Sequence, residues 1–382
     1  MHYTIVDTFP HPLLLTQSGT CLSLYMPTHR TIQDEAKDKI VYQGLVKELV
    51  QSIYKLKEVV RFENILKTLH DLVDENTFWQ HQLEGLAIFA TEHTMIVYKT
   101  QSEFQPLAVV ADSFHIKPLY AYFQNQESFH LLALEAEKFE VFEGNIHHLE
   151  SLAFPFESKV TLKEVLGSQL TDNYQTNGSY GGSMVGSTFH GHGGKKDEIA
   201  IDREKYFRYV DRFVYENFSK HHPLPLILVT PKDHQFTFRS VAKNPHMIES
   251  MIDGSFHTIV STHLLDDLRT ITKQRFEKHL HRMLKQYDDQ RHLKLSSDGL
   301  ETIAKALMDG RVSHLFIQKD HVIPGHLNIP QQKVMYWDLR EPHTDDLLDD
   351  MLQLALTKGT SVYILDKSLM PTQSGVAASF RY

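Results

Sequence analysis

The sequence predicts a three-domain protein of the α/β class. Residues 1 to about 125 carry two long helical patterns, followed by short runs rich in valine, isoleucine and phenylalanine. The end of the chain repeats the order helix, glycine, strand twice. Between these parts, strand and helix patterns are interrupted by a glycine-rich segment. A chain of 382 residues is long enough for two or three domains, each with its own core.

The N-terminal domain is predicted for residues 1–125. Residues Cys21 to Tyr25 alternate like a strand, and "QDEAKDKIVYQGLVKELVQSIYKL" and "RFENILKTLHDLVDEN" predict two helices. The first helix places four apolar residues at roughly helical spacing: Ile40, Leu45, Leu49 and Ile53. Strands are predicted at "GLAIFAT", "HTMIVYK" and "PLAVVAD". Because Cys21 is the single cysteine, the chain has no internal disulfide or multi-cysteine zinc site, and we expect a buried structural thiol.

The central domain is predicted for residues 126–290. It opens with "SFHLLALEAEKFEVFEGN", two strand-like runs that predict a hairpin. After the glycine-rich segment, "DREKYFRYVDRFVYENF" predicts a helix that Asp202 caps. Its apolar residues recur at spacings of three and four: Phe207, Val210, Val214 and Phe218. A buried strand, "LPLILVT", and a long charged helix complete the domain.

The C-terminal domain is predicted for residues 291–382. "SSDGLETIAKALMDGRVSHLFIQ" and "TDDLLDDMLQLALTKGTSVYILD" each predict a helix, a glycine stop and a strand, with Gly310 and Gly359 at the stops and Thr344 at the start of the second helix. Asp345 and Asp346 fall in the first turn of that helix, where the helix dipole favours acidic side chains. We therefore interpret this aspartate cluster as structural rather than as a metal or acid-base site.

Composition limits the function classes. The formal net charge of -9 argues against a protein that coats nucleic acid nonspecifically. No apolar run is long enough to span a bilayer and the N-terminus has no signal-peptide pattern, so we expect a cytoplasmic protein that does not bind membranes. One long helix carries five basic residues on a broad face, which is typical of either an RNA contact or a solvated face: Arg269, Arg275, Lys278, Arg282 and Lys285.

The segment from Asn177 to Gly194 contains seven of the 18 glycines and runs into two lysines. It is not a phosphate-binding loop, because Phe189 stands where G-x-x-x-x-G-K-[ST] requires glycine and Lys196 stands at the Ser/Thr position. No G-x-G-x-x-G fingerprint occurs. His190 and His192 lack a nearby third zinc ligand. A flexible surface loop remains open as an interpretation.

The residues that follow the glycines resemble a family. "HGHGGKKDEIAIDREKYFRYVDRFV" is similar to the loop and helix of the central domain of archaeal and eukaryotic class I peptide release factors and the related Pelota proteins. "GLETIAKALMDGRVSHLFI" resembles the opening of that superfamily's third domain, and "VYILDKSLMPTQSGVAASFRY" resembles the closing signature of a bacterial branch. The resemblance covers about the last 240 residues. It implies an RNase H-like central domain and a ribosomal-protein-like α/β sandwich at the C-terminus.

The resemblance also implies a site on the loop 177–196. In release factors the loop ends in Gly-Gly-Gln, and Lys195 stands here in place of the glutamine. Glycine allows a backbone to approach folded RNA closely, and backbone N–H groups can stabilise an oxyanion. The residues implied for catalysis are Gly193, Gly194 and Lys195, and those implied for RNA contact are His190, His192, Lys196 and Arg203. We expect no metal and no cofactor.

Three functions follow from the resemblance and the departure at Lys195. The preferred one is rescue of stalled ribosomes by hydrolysis of the peptidyl-tRNA ester, with the ribosome and tRNA as partners and a translational GTPase as a further candidate. The second is a ribosome-binding hibernation or silencing factor without catalysis, because a lysine ammonium cannot accept a hydrogen bond from water. The third is a nuclease on the RNase H-like fold, which requires carboxylates around a divalent metal.

Overall fold

The computed structural model describes residues 3–15, 19–31, 34–124, 126–146, 148–170, 193–255, 262–337 and 346–382. It has several sheets and helices, which confirms the mixed α/β class. The chain forms two compact units: one combines Met1–Asn125 with Glu277–Tyr382, and the other is Gln126–Phe276. The division into three domains stays a prediction, because one compact unit can contain more than one domain.

The N-terminal segment of the first unit folds around a five-stranded sheet. Its strands are β1 (Thr4–Ile5), β2 (Cys21–Pro27), β3 (Gly85–Ala90), β4 (Met95–Thr100) and β5 (Leu107–Ala111). Its helices are α1 (Glu35–Lys55), α2 (Val59–Asp71), α3 (Asn76–Gln80) and α4 (Lys117–Phe123), with 3-10 turns at Pro12–Leu15 and Leu72–Asp74. The strand order is β1-β4-β3-β2-β5, and β1 alone pairs in parallel.

Both faces of this sheet are buried. Leu22 and Leu24 pack with α1 and α2 on one face, whereas Tyr25 points to the other, as the two-residue period of a strand requires. Cys21 is buried as predicted. Ile40 was predicted to belong to the apolar side of α1, and this is wrong: its side chain is 68% exposed. The helix turns Leu45, Leu49 and Ile53 inward instead.

The central unit has a second five-stranded sheet. Its strands are β6 (Phe129–Leu134), β7 (Phe139–Gly144), β8 (Leu149–Ser151), β9 (Leu226–Val229) and β10 (Met247–Ile252). The order is β10-β9-β6-β7-β8. Strands β6, β9 and β10 are parallel, and β7 is antiparallel to both β6 and β8. The predicted hairpin and buried strand are β6–β7 and β9.

Helices cover both faces of the central sheet. They are α5 (Leu162–Leu166), α6 (Gly193–Val214), α7 (Lys232–Val241) and α8 (Thr262–Arg291); a 3-10 turn at Gly167–Gln169 follows α5, and a π-helical turn at Tyr215–Ser219 continues α6. Phe207 and Phe238 pack α6 and α7 against one face. Leu264 and Leu268 of α8 pack against the other. The unit ends at Phe276, inside α8, whereas the predicted domain boundary was residue 290.

The C-terminal segment adds a four-stranded sheet and a separate hairpin to the first unit. Its elements are β11 (Ser296–Ser297), α9 (Leu300–Met308), β12 (Val312–Gln318), β13 (Gly325–Asn328), β14 (Lys333–Tyr336), α10 (Leu347–Thr357), β15 (Ser361–Leu365), a 3-10 turn at Lys367–Leu369 and β16 (Val376–Phe380). The sheet order is β11-β16-β12-β15. Gly310 and Gly359 adopt φ of +70° and +66° directly after α9 and α10, where glycine ends a helix at low steric cost. The order helix, glycine, strand is confirmed for both repeats, but α10 begins at Leu347, so Asp346 is its N-cap and does not lie in the first turn as predicted.

A buried polar network joins the two segments of the first unit. The Lys117 Nζ donates to Asp346 Oδ2 and to the carbonyl oxygen of His321 at 2.6 Å, and the Lys117 backbone N–H donates to Asp349. Gln353 donates to the carbonyl oxygen of Phe114 at 2.6 Å and to Asp349 Oδ2 at 2.8 Å. The network therefore links the start of α4 to the start of α10, and Asp346 also caps α10 by accepting from Leu348 N.

The aspartate cluster of the C-terminal segment is structural where the structure describes it. Asp346, Asp349 and Asp350 each accept hydrogen bonds from neighbouring residues, and Asp349 is fully buried. Asp345 and Thr344 lie outside the described residues. Within the described part of the chain, no helix is long and apolar enough to cross a membrane.

Candidate functional site

The predicted site falls at the start of α6. His190 and His192 lie outside the described residues. The backbone of Gly193, Gly194 and Lys195 forms the first helical turn, whereas the predicted loop extended to Lys196. The first N–H groups of a helix have no intrahelical acceptor and lie at the positive end of its dipole. The Gly-Gly-Lys segment therefore presents backbone donors rather than an irregular loop.

The predicted cap at Asp202 is wrong. Helix α6 begins at Gly193, so Asp202 lies in its interior and not at its end. The side chain is nearly buried and accepts from Lys205 Nζ at 3.2 Å. The apolar spacing from Phe207 to Phe218 indicated the helix correctly, but it marks the part that packs on the sheet. The glycine-rich and charged residues before it carry no apolar periodicity, and they nevertheless extend the helix.

The body of α6 is fixed firmly to the central sheet. Phe207 and Val210 are fully buried, and the Tyr206 hydroxyl donates to the carbonyl oxygen of Val160 at 2.6 Å. Asp211 accepts from Lys243 N at 2.7 Å and from Asn244 N at 3.3 Å. Burial raises the pKa of Asp211. Tyr206 is thus a core residue and not a stacking platform for bases.

Arg203 is the one predicted RNA contact whose side chain the structure describes. It is half-buried on α6 and lies close enough to His234 for its charge to act on that ring. Burial of His234, and then the charge of Arg203, lowers the pKa of the imidazole. His234 is 5% exposed, and its ring makes an edge contact with Phe207 at 5.7 Å.

His234 is a site feature that the sequence interpretation missed. It lies in the first turn of α7, which follows β9 after two residues, at the carboxyl edge of the parallel strands, where ligands bind in many α/β proteins. Its Nδ1 has no hydrogen-bond partner among the described residues, and the nearest carboxylate oxygen, on Asp233, is 3.7 Å away. The available signal was "LVTPKDHQ", a buried strand that ends in polar residues.

A metal centre is absent from the residues that the structure describes. No group of three or more histidine, cysteine, aspartate or glutamate side chains in those ranges could hold an ion. In the central unit, His130 and Glu143 form a pair, with 3.1 Å between Nε2 and Oε2. The histidines of the glycine-rich segment, His190 and His192, lie outside the described residues.

The central segment of the chain matches the model of a known family. Residues 127–274 match the model of the bacterial archaeo-eukaryotic release factor family 6. The match includes β6 to β10 and the whole of α6, and therefore Gly193, Gly194 and Lys195. The resemblance predicted from "HGHGGKKDEIAIDREKYFRYVDRFV" is confirmed for this segment.

Solved structures of translation factors resemble the chain at low identity. An archaeal translation termination factor, aRF1, is 14% identical with a TM-score of 0.23, covering 97% of this chain and 95% of its own. Archaeal Pelota, from a model of ribosome-bound Pelota and ABCE1, is 11% identical with a TM-score of 0.40, covering 75% and 72%. Dom34 of S. cerevisiae, a termination-like factor that interacts with Hbs1, is 10% identical with a TM-score of 0.33, covering 78% and 79%. Such low TM-scores add no argument about function. No curated protein matches the chain.

Proposed function

We propose that this protein binds the ribosome and hydrolyses the ester of peptidyl-tRNA with the Gly-Gly-Lys segment at the start of α6. The observation that carries the proposal is the match of residues 127–274 to a release-factor family, since the segment lies inside it. Ribosome and tRNA are the proposed partners, and a translational GTPase stays a prediction. The reaction would free ribosomes that have stalled.

The proposal includes an RNase H-like central domain and a ribosomal-protein-like C-terminal domain. The order β10-β9-β6-β7-β8, with a hairpin and a third antiparallel strand beside parallel strands, supports the first assignment. Helices α9 and α10 packed on the β11-β16-β12-β15 sheet support the second. On this architecture α6 is a rigid support, and its first turn is the part that reaches the substrate.

The proposed chemistry needs few side chains. Water adds to the ester carbonyl carbon to give a tetrahedral intermediate, which collapses as the bond to the terminal ribose oxygen breaks. One proton of the water passes to that oxygen, and the other is lost from the new carboxylic acid. The negative charge that develops on the carbonyl oxygen can be stabilised by backbone N–H groups that do not reorganise. The first turn of α6 contains such groups at Gly193, Gly194 and Lys195. Glycine leaves room for a close approach of backbone to substrate.

Lys195 and the other cations have positioning roles in this proposal. An ammonium group binds phosphate as a point charge, so Lys195 and Lys196 would hold the backbone of the tRNA end. Arg203, about two turns further along α6, would extend the same contact, and His190 and His192 would add to it from the preceding segment. The lysine side chain has no carbonyl oxygen that could orient water, unlike the glutamine of the release factors, so the proposed mechanism rests on the backbone N–H groups.

The alternative function keeps the ribosome and omits the reaction. Lys195 favours it, because the glutamine of the release factors is replaced by a side chain that only donates. The protein would then occupy the site as a hibernation or silencing factor. The nuclease alternative needs converging carboxylates, and no observation in the described residues favours it.

The test is release of labelled peptide from ribosome-bound peptidyl-tRNA, measured beside ribosome co-sedimentation. In Gly194→Ala we expect a loss of release of about 100-fold or more with co-sedimentation intact, because the added methyl group obstructs the close backbone approach. The variant should not unfold, since alanine favours a helix over glycine by about 1 kcal/mol.

Lys195→Gln and Lys55→Gln complete the design. Lys55 is an exposed lysine of α1, and its variant should behave as the wild type. Release that persists unchanged in Gly194→Ala would contradict the backbone mechanism. Co-sedimentation without release, with release gained in Lys195→Gln, would establish the hibernation alternative. A wild type that neither sediments with ribosomes nor releases peptide would refute both.

A further inference from the structure

Helix α8 carries a row of exposed basic side chains on its C-terminal half. We call Lys278, Arg282 and Lys285 the basic row. Their spacing of four and three residues places them on one face of the helix, over about 10 Å of its length. All three side chains are exposed. The row lies in the part of α8 that belongs to the first unit.

The orientation of this half of α8 is fixed by packing on the opposite face. Leu280 and Tyr287 are buried, and the Tyr287 ring makes an edge contact with Phe316 of β12 at 5.9 Å. His279 forms a hydrogen bond with the Tyr363 hydroxyl at 2.8 Å. These contacts hold the helix against the C-terminal sheet, so the basic row faces outward as a set.

The five basic residues predicted on α8 divide into two groups. Arg269 pairs with Asp266 at 3.2 Å, and Arg275 forms a two-bond pair with Glu127 at 3.1 and 3.2 Å. In contrast, no member of the basic row forms an ion pair with a described residue. Of the five predicted residues, Arg269 and Arg275 are thus paired, and the three of the basic row are not paired with any described residue.

The sequence around the row offers acidic residues at helical spacing to only one of its three members. Lys278 and Arg282 are four residues apart, a like-charge arrangement that destabilises a helix by a few tenths of a kcal/mol. Only Lys285 is followed by acidic residues three and four positions later, Asp288 and Asp289. A solvated face normally interleaves both signs to gain stability. A row that costs stability in a chain of net charge -9 indicates that the charges serve a partner.

We infer that the basic row binds the phosphate backbone of RNA. Exposed cations in one line match a polyanion, and phosphate contacts position a protein on RNA without reading sequence. The flanking helix positions Gln274, His281 and Gln286 are polar, so this face lacks the apolar anchors that protein interfaces usually contain. The inference extends the proposed function, because it gives the ribosome-binding protein a second RNA contact, far in sequence from the Gly-Gly-Lys segment.

The experiment measures binding to a short RNA duplex and to purified ribosomal RNA at several salt concentrations between about 50 and 200 mM. The test variant is Lys278→Gln, Arg282→Gln and Lys285→Gln combined. The matched control neutralises three exposed lysines of α1 and α2 in the same unit, Lys47→Gln, Lys55→Gln and Lys67→Gln, with the same change in net charge. Thermal unfolding of both variants confirms that they are folded.

We expect the slope of log affinity against log salt to fall by about two to three in the test variant, nearly one for each phosphate group that the protein no longer neutralises. Affinity at the lowest salt should fall about tenfold or more, and the control should change by less than about twofold. Equal slopes for test variant and wild type would overturn the inference, as would a wild type that does not bind RNA.

Co-sedimentation with ribosomes separates this result from the proposed function. If the test variant loses the ribosome but keeps its RNA affinity, the row binds an acidic protein surface and the inference is wrong. If RNA binding depends on the row while the wild type neither sediments with ribosomes nor releases peptide, the inference holds and the proposed function fails.

Discussion

Two sets of buried polar side chains differ in how completely their hydrogen bonds are satisfied. At the junction of the N- and C-terminal segments, the charge of Lys117 meets Asp346 Oδ2 and a carbonyl oxygen, and Asp349 accepts from Lys117 N and Gln353. The second set of buried polar groups is in the central unit, where the rings of His130 on β6 and of His234 on α7 each keep an Nδ1 without a partner among the described residues. The first set is saturated, meaning that its buried polar atoms all have hydrogen-bond partners, and the second is not.

The difference indicates what each cluster does. A buried charge without compensation costs several kcal/mol, so a saturated network fixes one arrangement of the segments that contribute to it. Burial lowers the pKa of His130, despite its hydrogen bond to Glu143, and also that of His234, so both rings are neutral at pH 7. The junction therefore stabilises one arrangement of the two segments, whereas the central unit contains two histidines whose protonation opposes folding at low pH.

The largest expected effect comes from breaking the saturated cluster. Lys117→Met should lower the free energy of unfolding of the first unit by about 3–5 kcal/mol, because Asp346 would stay buried without its cation. Urea unfolding followed by tryptophan fluorescence measures this unit specifically, since both tryptophans, Trp79 and Trp337, belong to it.

The control for that measurement is Lys67→Met, which removes an exposed lysine of α2 from the same unit. Its effect should stay within about 0.5 kcal/mol. A loss below about 1 kcal/mol in Lys117→Met would mean that the junction is not the stabilising element and would remove the contrast between the clusters.

The sequence was informative where pattern and packing agree. The strands from β2 to β7 and the two glycine-terminated helices of the C-terminal segment were predicted because two- and 3.6-residue periods record which side chains face a core. The start of α6 was missed, since glycine and charged residues have no such period. The Lys117 network was out of reach as well, because it joins residues 229 positions apart and no local pattern records that pairing.

A smaller effect is expected from pH on the central unit. In the folded state the pKa of His130 is lowered by burial, which outweighs the hydrogen bond to Glu143, so the unfolded chain binds more protons once pH falls below about 6.5. The free energy of opening should therefore decrease as pH falls from about 7.5 to 5.5. Hydrogen exchange of the backbone amides of β6 and β9 measures it, after correction for the intrinsic pH dependence of exchange.

Matched substitutions test which histidine causes this pH dependence. His130→Gln should make the free energy of opening less dependent on pH, and His70→Gln, at an exposed position of α2, should not. His222 lies 3.7 Å from the same Glu143 carboxylate, so His222→Gln serves as a second comparison. An identical pH dependence in the wild type and His130→Gln would show that protonation of His130 does not control the stability of this sheet.

The smallest effect on stability is expected at an exposed pair. Arg275 and Glu127 are each about a third or more exposed, and such pairs contribute about 0–1 kcal/mol, so Arg275→Gln should change the free energy of unfolding by less than about 1 kcal/mol.

The Arg275→Gln variant also tests whether paired and unpaired basic side chains of α8 differ in RNA binding. Because the charge of Arg275 is already paired, its removal should leave the salt slope of RNA binding unchanged, whereas Lys278→Gln, less than one turn away, should lower it by about one. Equal slopes for the two single variants would mean that pairing with Glu127 does not withdraw Arg275 from RNA, and that accessibility alone decides which basic side chains of α8 bind.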